Sequence, residues 1–244
     1  MDQQVKEALQ AAVAGYSIGK SGKLNNEFTL DGTDKVFYQQ LENVFNTEAG
    51  FKAKMKGMDE VFDNHPEFAN IREVCFDLLL INFFNSDAKN LEEDYLESQE
   101  WSKIEDETID RGTELLNLFL YLQECEDEEI EPELSDYLKE FLLIEEEEFQ
   151  EELEIYEDVI ANQMLMESTY PEIARVASNL NDNAALKDEF YAMMSFFNET
   201  DPTQEELQEY IQHAGNKPFD TSVLFAILAY NYGINELPVN LSIN

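Results

Sequence analysis

The chain has 244 residues, enough for one large domain or two small ones, and 43% of them are hydrophobic, with 17 Phe and 11 Tyr. That is enough apolar surface for a core, and it excludes the disordered acidic class, which lacks aromatics. With 54 acidic against 15 basic residues, a formal net charge of −39, the molecule repels nucleic acid and anionic membranes and attracts basic proteins and cations.

Two cysteines give no disulfide framework. Cys75 lies in an apolar run and reads as a core residue. Cys125 sits among carboxylates that disfavour its thiolate. Asp2 and Glu7 stand where a signal peptide is basic, and no apolar run approaches a membrane span. A cytoplasmic location is expected.

Val5, Leu9 and Val13 share one stripe and predict a helix over residues 2–14. The segment GYSIGKSGK then reads as a glycine loop. Asp34 is a candidate cap for a helix Lys35–Phe45, with Val36, Phe37, Leu41 and Val44 on its apolar face. Residues 51–57 alternate apolar and basic like a strand, although their flanks read as helix. Lys52, Lys54 and Lys56 form a tight cationic cluster. Pro66 opens a strong helix through Phe84, whose broad apolar surface marks it as central and buried.

Helices are predicted over residues 91–101 and 103–124, the latter carrying Leu115, Leu116, Leu118, Phe119 and Leu122. An acidic loop, Glu124–Glu131, and a helix Glu133–Ile144 follow. Pro171 marks a break before three shorter helices near 171–178, 184–197 and 203–213, and Asp201-Pro202-Thr203 is a start signal for the third. A final apolar helix spans Ser222–Tyr232. The polar tail after Gly233 is expected to be loosely held.

Charge is uneven along this order. Residues 1–60 carry 9 acids and 7 bases, whereas residues 92–158 carry 28 acids and 3 bases, a net of −25. The division expected is a near-neutral helical part, residues 1–90, and an acidic helical part, residues 91–244, with one continuous domain as the alternative. The acidic part centres on Glu145–Ile160. There Phe149, Leu153, Tyr156 and Ile160 share one helical face, and nine of sixteen residues are carboxylates. Sixteen helical residues span about 24 Å. That places a carboxylate every ~2.7 Å along the axis, close to the ~3.4 Å charge spacing of one DNA strand.

Other motifs weigh less. Ala14–Ser21 fits a loosened phosphate-loop pattern, with Lys20 and Ser21 as the phosphate and Mg²⁺ contacts, but lacks the preceding strand. His65 and His213 supply no Glu-x-x-His pair for a dimetal site; His65 reads as a boundary residue, His213 as a surface residue near a helix end. Asn179, Asn181 and Asn183 mimic the start of a calcium loop without its glycine or its bidentate Glu and read as a polar turn.

The fold expected is all-α, about ten helices in a bundle or irregular array. The function expected is a non-enzymatic acidic binding protein, without catalytic residue, metal or cofactor, that engages a basic partner protein. A nucleic-acid mimic, an inhibitor, an immunity protein and a chaperone all fit this. The contact residues would be Glu145, Glu146, Glu147, Glu148, Glu151, Glu152, Glu154, Glu157 and Asp158, with Glu126, Asp127, Glu128 and Glu129. The alternatives are a scaffold binding through the near-neutral N-terminal half, a nucleotide-binding enzyme using residues 14–21, and self-association of Lys52, Lys54 and Lys56 with the acidic half.

Overall fold

Asp2 caps the first helix, its Oδ1 accepting the backbone N–H groups of Gln4 and Val5 at 3.0 and 3.3 Å. From there helix α1 runs Gln3–Ser21 in the computed structural model, which describes residues 1–87, 102–104, 108, 111, 114–142 and 155–243. The expected glycine loop is therefore the second half of a helix. Gly15 and Gly19 are four apart and face helix α11, Lys217–Tyr232. A Cβ on Gly15 would lie 2.6 Å from the Thr221 carbonyl oxygen, and one on Gly19 would lie 2.2 Å from that of Lys217. Both positions need glycine because two backbones meet there. Ser222 Oγ donates to the Ala12 carbonyl at 2.8 Å in the same contact. The pairing of 12 with 222, 15 with 221 and 19 with 217 makes the two helices antiparallel. Helix α1 ends at Gly22, whose φ of 68° lets its N–H reach the carbonyls of Ile18 and Gly19.

Around this pair lie α2 (Gly32–Asn46), α3 (Phe51–Asn64), a 3₁₀ turn (Pro66–Ile71) and α4 (Arg72–Asn82), which a π turn, Phe83–Asp87, extends. Residues 51–57, ambiguous in sequence, are the first half of α3. Asp34 lies within α2, and its Oδ2 accepts the Ser17 hydroxyl at 2.7 Å instead of capping. Beyond come α5 (Leu116–Glu128), α6 (Leu134–Leu142), α7 (Glu157–Ala161), a 3₁₀ turn (Gln163–Glu167), α8 (Tyr170–Ala177), α9 (Phe190–Asn198) and α10 (Gln204–His213). The all-α expectation holds. Thr203 starts α10 through a reciprocal capping box with Glu206.

The buried side chains form one cluster drawn from both halves of the sequence. As expected, α4 is central, with Val74 to Asn82 all buried. The α1–α11 pair shares that centre, which the sequence did not announce. Phe37 stacks on Phe68 with centroids 4.0 Å apart, and Phe62 meets Phe37 edge-on at 5.1 Å. His65 sits at the junction of α3 and the 3₁₀ turn, as a boundary residue should.

The tail is not loose. Glu27–Leu30 (β1) pairs in parallel with Asn240–Ile243 (β2), Glu27 opposite Asn240 and Leu30 opposite Ile243. Leu237 and Val239, just before β2, are buried and fix the chain on the core. No helix among the described residues is long and apolar enough to cross a membrane.

Candidate functional site

Helix α5 buries Leu118, Phe119, Tyr121, Leu122 and Cys125. That stripe forces the remaining positions of its last turns outward. Glu124, Glu126, Asp127, Glu128 and Glu129 are all exposed. The region read as an acidic loop is thus mainly the C-terminal end of a helix, because the apolar spacing of residues 118–125 carries the helix on. Glu129 closes it in the left-handed conformation, φ 56°, and Ile130 N–H reaches back to the Cys125 carbonyl at 2.9 Å. Carboxylates gathered at a helix C-terminus face its partial negative charge, an unfavourable placement for the isolated helix.

Three other segments bring acids to this end. Asp2 precedes α1, and with Glu126 and Asp127 it raises the pKa of Tyr230, which burial first raises and Asn85 partly offsets. The Gln4 amide donates to Glu126 Oε2. Tyr232, in the last turn of α11, donates from its hydroxyl to Glu131 Oε2 at 3.1 Å. Beside it opens a cavity of about 240 Å³ whose polar wall is Glu131, Asp201, Glu236 and Thr200, and whose apolar wall includes Leu228, Leu237 and Pro202. Glu131, Asp201 and Glu236 are exposed at its mouth. Burial raises the Tyr232 pKa, and Glu131 and Asp201 add to that rise.

The expected contact residues divide three ways. Glu126, Asp127, Glu128 and Glu129 belong to this acidic end. Glu145, Glu146, Glu147, Glu148, Glu151, Glu152 and Glu154 lie outside the described residues, as do Phe149 and Leu153. Glu157 and Asp158 sit in the first turn of α7, beside a separate concavity lined by Ile155, Asn181 and Asn183. The described part of Glu145–Ile160 begins at Ile155, and within it the helical run is interrupted at Tyr156. Tyr156 leaves helical geometry and opens α7 as its cap, its hydroxyl held 2.6 Å from that of Tyr137 in the core. Asn179, Asn181 and Asn183 form the polar turn expected, with Asn183 N–H on Asn181 Oδ1 at 3.0 Å.

Two other readings lose ground. Residues 14–21 lie inside α1, so their backbone N–H groups are engaged within the helix and cannot cradle a phosphate. Lys52, Lys54 and Lys56 do not present one cationic surface: Lys54 is buried, while Lys56 is exposed and faces Glu60 at 3.8 Å.

Sequence reasoning missed a set of sheltered acids. Asp77, buried in α4, accepts the Leu115 N–H on Oδ2 at 3.1 Å and so caps the start of α5 from another helix. Among the described residues its Oδ1 has no hydrogen-bond partner. Burial pushes its pKa well up, the Leu115 bond opposes this, and Glu114, Glu189 and Glu73 add to the rise. Glu189 is pushed to about 8 by burial and Glu114. Asp220 is pushed to about 7 by burial, against the hydrogen bond from Asn216. The signal was a lone carboxylate inside an apolar run, VCFDLLL for Asp77 and PFDTSVLF for Asp220. Arg111 pairs with one of these neighbouring acids: its guanidinium reaches Glu73 at 2.9 Å and Asp59 at 3.1 Å and lies over the Phe76 ring. Among the described residues no group of three His, Cys, Asp or Glu side chains is placed to hold a metal ion. Burial raises the pKa of both the Cys75 and the Cys125 thiol.

No family model, no curated protein sequence and no solved structure matches the chain.

Proposed function

We propose that the protein is a non-enzymatic binding protein whose acidic end engages a basic protein surface. The observation that carries this reading is the convergence of four separate chain segments, at Asp2, Glu126–Glu131, Asp201 and Glu236, on one end of the molecule beside a concave opening. Dispersed charge serves solubility equally well wherever it sits. Charge collected from distant segments around a cavity favours a cationic partner by complementarity and steers its approach. A basic patch that ordinarily meets phosphate is complementary in sign to this surface, so a nucleic-acid-binding protein is the partner class proposed.

The test is a comparison of two charge-reversed variants against arginine- and lysine-rich peptides, read by fluorescence anisotropy. Reversing Glu126, Asp127, Glu128 and Glu129 to lysine should abolish binding. Reversing an equal number of acids elsewhere, Glu27, Glu48, Glu205 and Glu209, should leave most of it. Affinity should also fall steeply between low and physiological salt. Equal loss in both variants would mean that net charge alone binds, and the docking role would be lost. Capture of a neutral or acidic partner by the full chain would count against it equally.

A further inference from the structure

The turn that carries Lys187 and Asp188 meets α8, α9 and the first turn of α11. It leaves there a cavity of about 170 Å³, roughly the bulk volume of five or six waters. Ala174 and Ala177 of α8, Tyr191 of α9 and Phe219 of α11 give it apolar and aromatic walls. Asp220 lines the same cavity and is only 4% exposed. Its Oδ2 is fixed by the Asn216 N–H at 2.9 Å, and the Gly215 backbone adds a second contact. The carboxylate is therefore held in one orientation by backbone donors.

Among the described residues no cation pairs with Asp220. Lys187, on the cavity wall, directs its ammonium elsewhere, to the Leu180 carbonyl at 2.8 Å and Asp182 Oδ1 at 2.6 Å. Asp188, also on the wall, adds a second negative charge. A sheltered carboxylate that no cation among the described residues pairs with, sharing a cavity of a few heavy atoms with two aromatic residues, is an arrangement suited to alkylated ammonium groups.

We propose that this cavity binds a small organic cation, an ammonium bearing short alkyl groups, with Asp220 as its counter-ion and Tyr191 and Phe219 as its aromatic walls. The site is separate from the acidic end and does not depend on the function proposed for it. Inside the cavity the ammonium would meet Asp220 at short range. The alkyl groups would cover Ala174 and Ala177, which a hydrated metal ion could not do.

Binding depends on the ionisation of Asp220, which burial holds near 7. The titratable groups facing it are Lys187, Asp188 and Glu189 before α9, Tyr191 of α9 and Tyr210 of α10. Of these, Glu189 also titrates near neutrality, at about 8.

The probe is tetramethylammonium, titrated calorimetrically into the full chain at physiological salt, with neopentyl alcohol as its uncharged counterpart. Saturable one-to-one binding is expected for the cation and none for the alcohol. Affinity should rise about tenfold from pH 6 to pH 8 as Asp220 ionises. Asp220→Asn, which retains an acceptor for the Asn216 N–H, should weaken binding by about tenfold or more. Should that variant fail to fold, Ala174→Leu fills the cavity from the partly exposed wall and should block binding without touching the carboxylate. Equal affinity for the alcohol, a flat pH profile, absence of saturation, or unchanged binding in both variants would overturn the assignment.

Discussion

Gly19 shows how much one absent side chain decides. The backbones of α1 and α11 approach so closely there that an added methyl group would overlap the Lys217 carbonyl carbon and oxygen and the Pro218 Cα. These are main-chain atoms, not the far end of a flexible side chain, so neither helix can yield cheaply. Gly19→Ala should lower unfolding stability by about 3 kcal/mol, measured in urea. The same change at Gly22, where nothing lies within 4 Å, meets no such clash, and only its positive φ opposes it. The spacing of Gly15 and Gly19 was visible in the sequence. What it meant was not, because Gly-x-x-x-Gly reads equally as a loop rich in glycine and as a groove for another helix. The deciding fact is the small-residue face of a partner some 200 residues away.

Elements were legible where their apolar period was strong and their ends were marked by caps. Helix α10 starts at the Thr203 foreseen from Asp201-Pro202-Thr203, and α4 is buried as its Val74–Ile81 run implied. Legibility failed where charge masked periodicity. The cluster Glu126–Glu129 looked like a loop, yet the buried stripe through Cys125 keeps it helical almost to its end. Termination then falls to Glu129, a residue with a Cβ in left-handed backbone geometry. Its side chain is exposed and it faces the negative end of its own helix. Glu129→Gly should therefore stabilise the protein by about 1 kcal/mol, seen as a higher denaturation midpoint with unchanged slope. A loss of stability would mean that the carboxylate has a compensating role. The parallel β1–β2 pair was illegible for a different reason: four-residue strands in polar segments have too little pattern, and their pairing depends on the fold that brings the two ends of the sequence together.

For the whole molecule, acid is more than surface. Asp220 and Glu189 have folded values of about 7 and 8, above the ordinary carboxylate range. Raised values mean that the fold prefers the protonated forms. Their contribution is fully present below the unfolded-state values and is lost as pH rises through the folded ones. Each group should lower stability by about 1.4 kcal/mol per pH unit across that window until it has ionised in the folded state. Lowered carboxylates such as Glu172, Asp182 and Glu206 act in the opposite sense, but the first two are fully exposed and their contribution is screened. Stability should accordingly be higher at pH 5 than at pH 8 in urea titrations, and Asp220→Asn should flatten the slope. A wild-type profile that rises towards pH 8 would contradict the sheltering of these groups. Lone acids inside apolar runs hinted at this set. Its coupling was hidden, since Asp77, Glu189 and Asp220 come from three separate helical regions.

The antiparallel union of α1 with α11 also governs how the chain can be made. Helix α1 is synthesised before its mate, which emerges about 200 residues later, roughly 10–40 s at ordinary translation rates. Throughout that interval its alanine and glycine stripe has nothing to lie against. The α1–α11 contact must form late, and a ribosome-bound chain halted before Lys217 should remain sensitive to protease along α1.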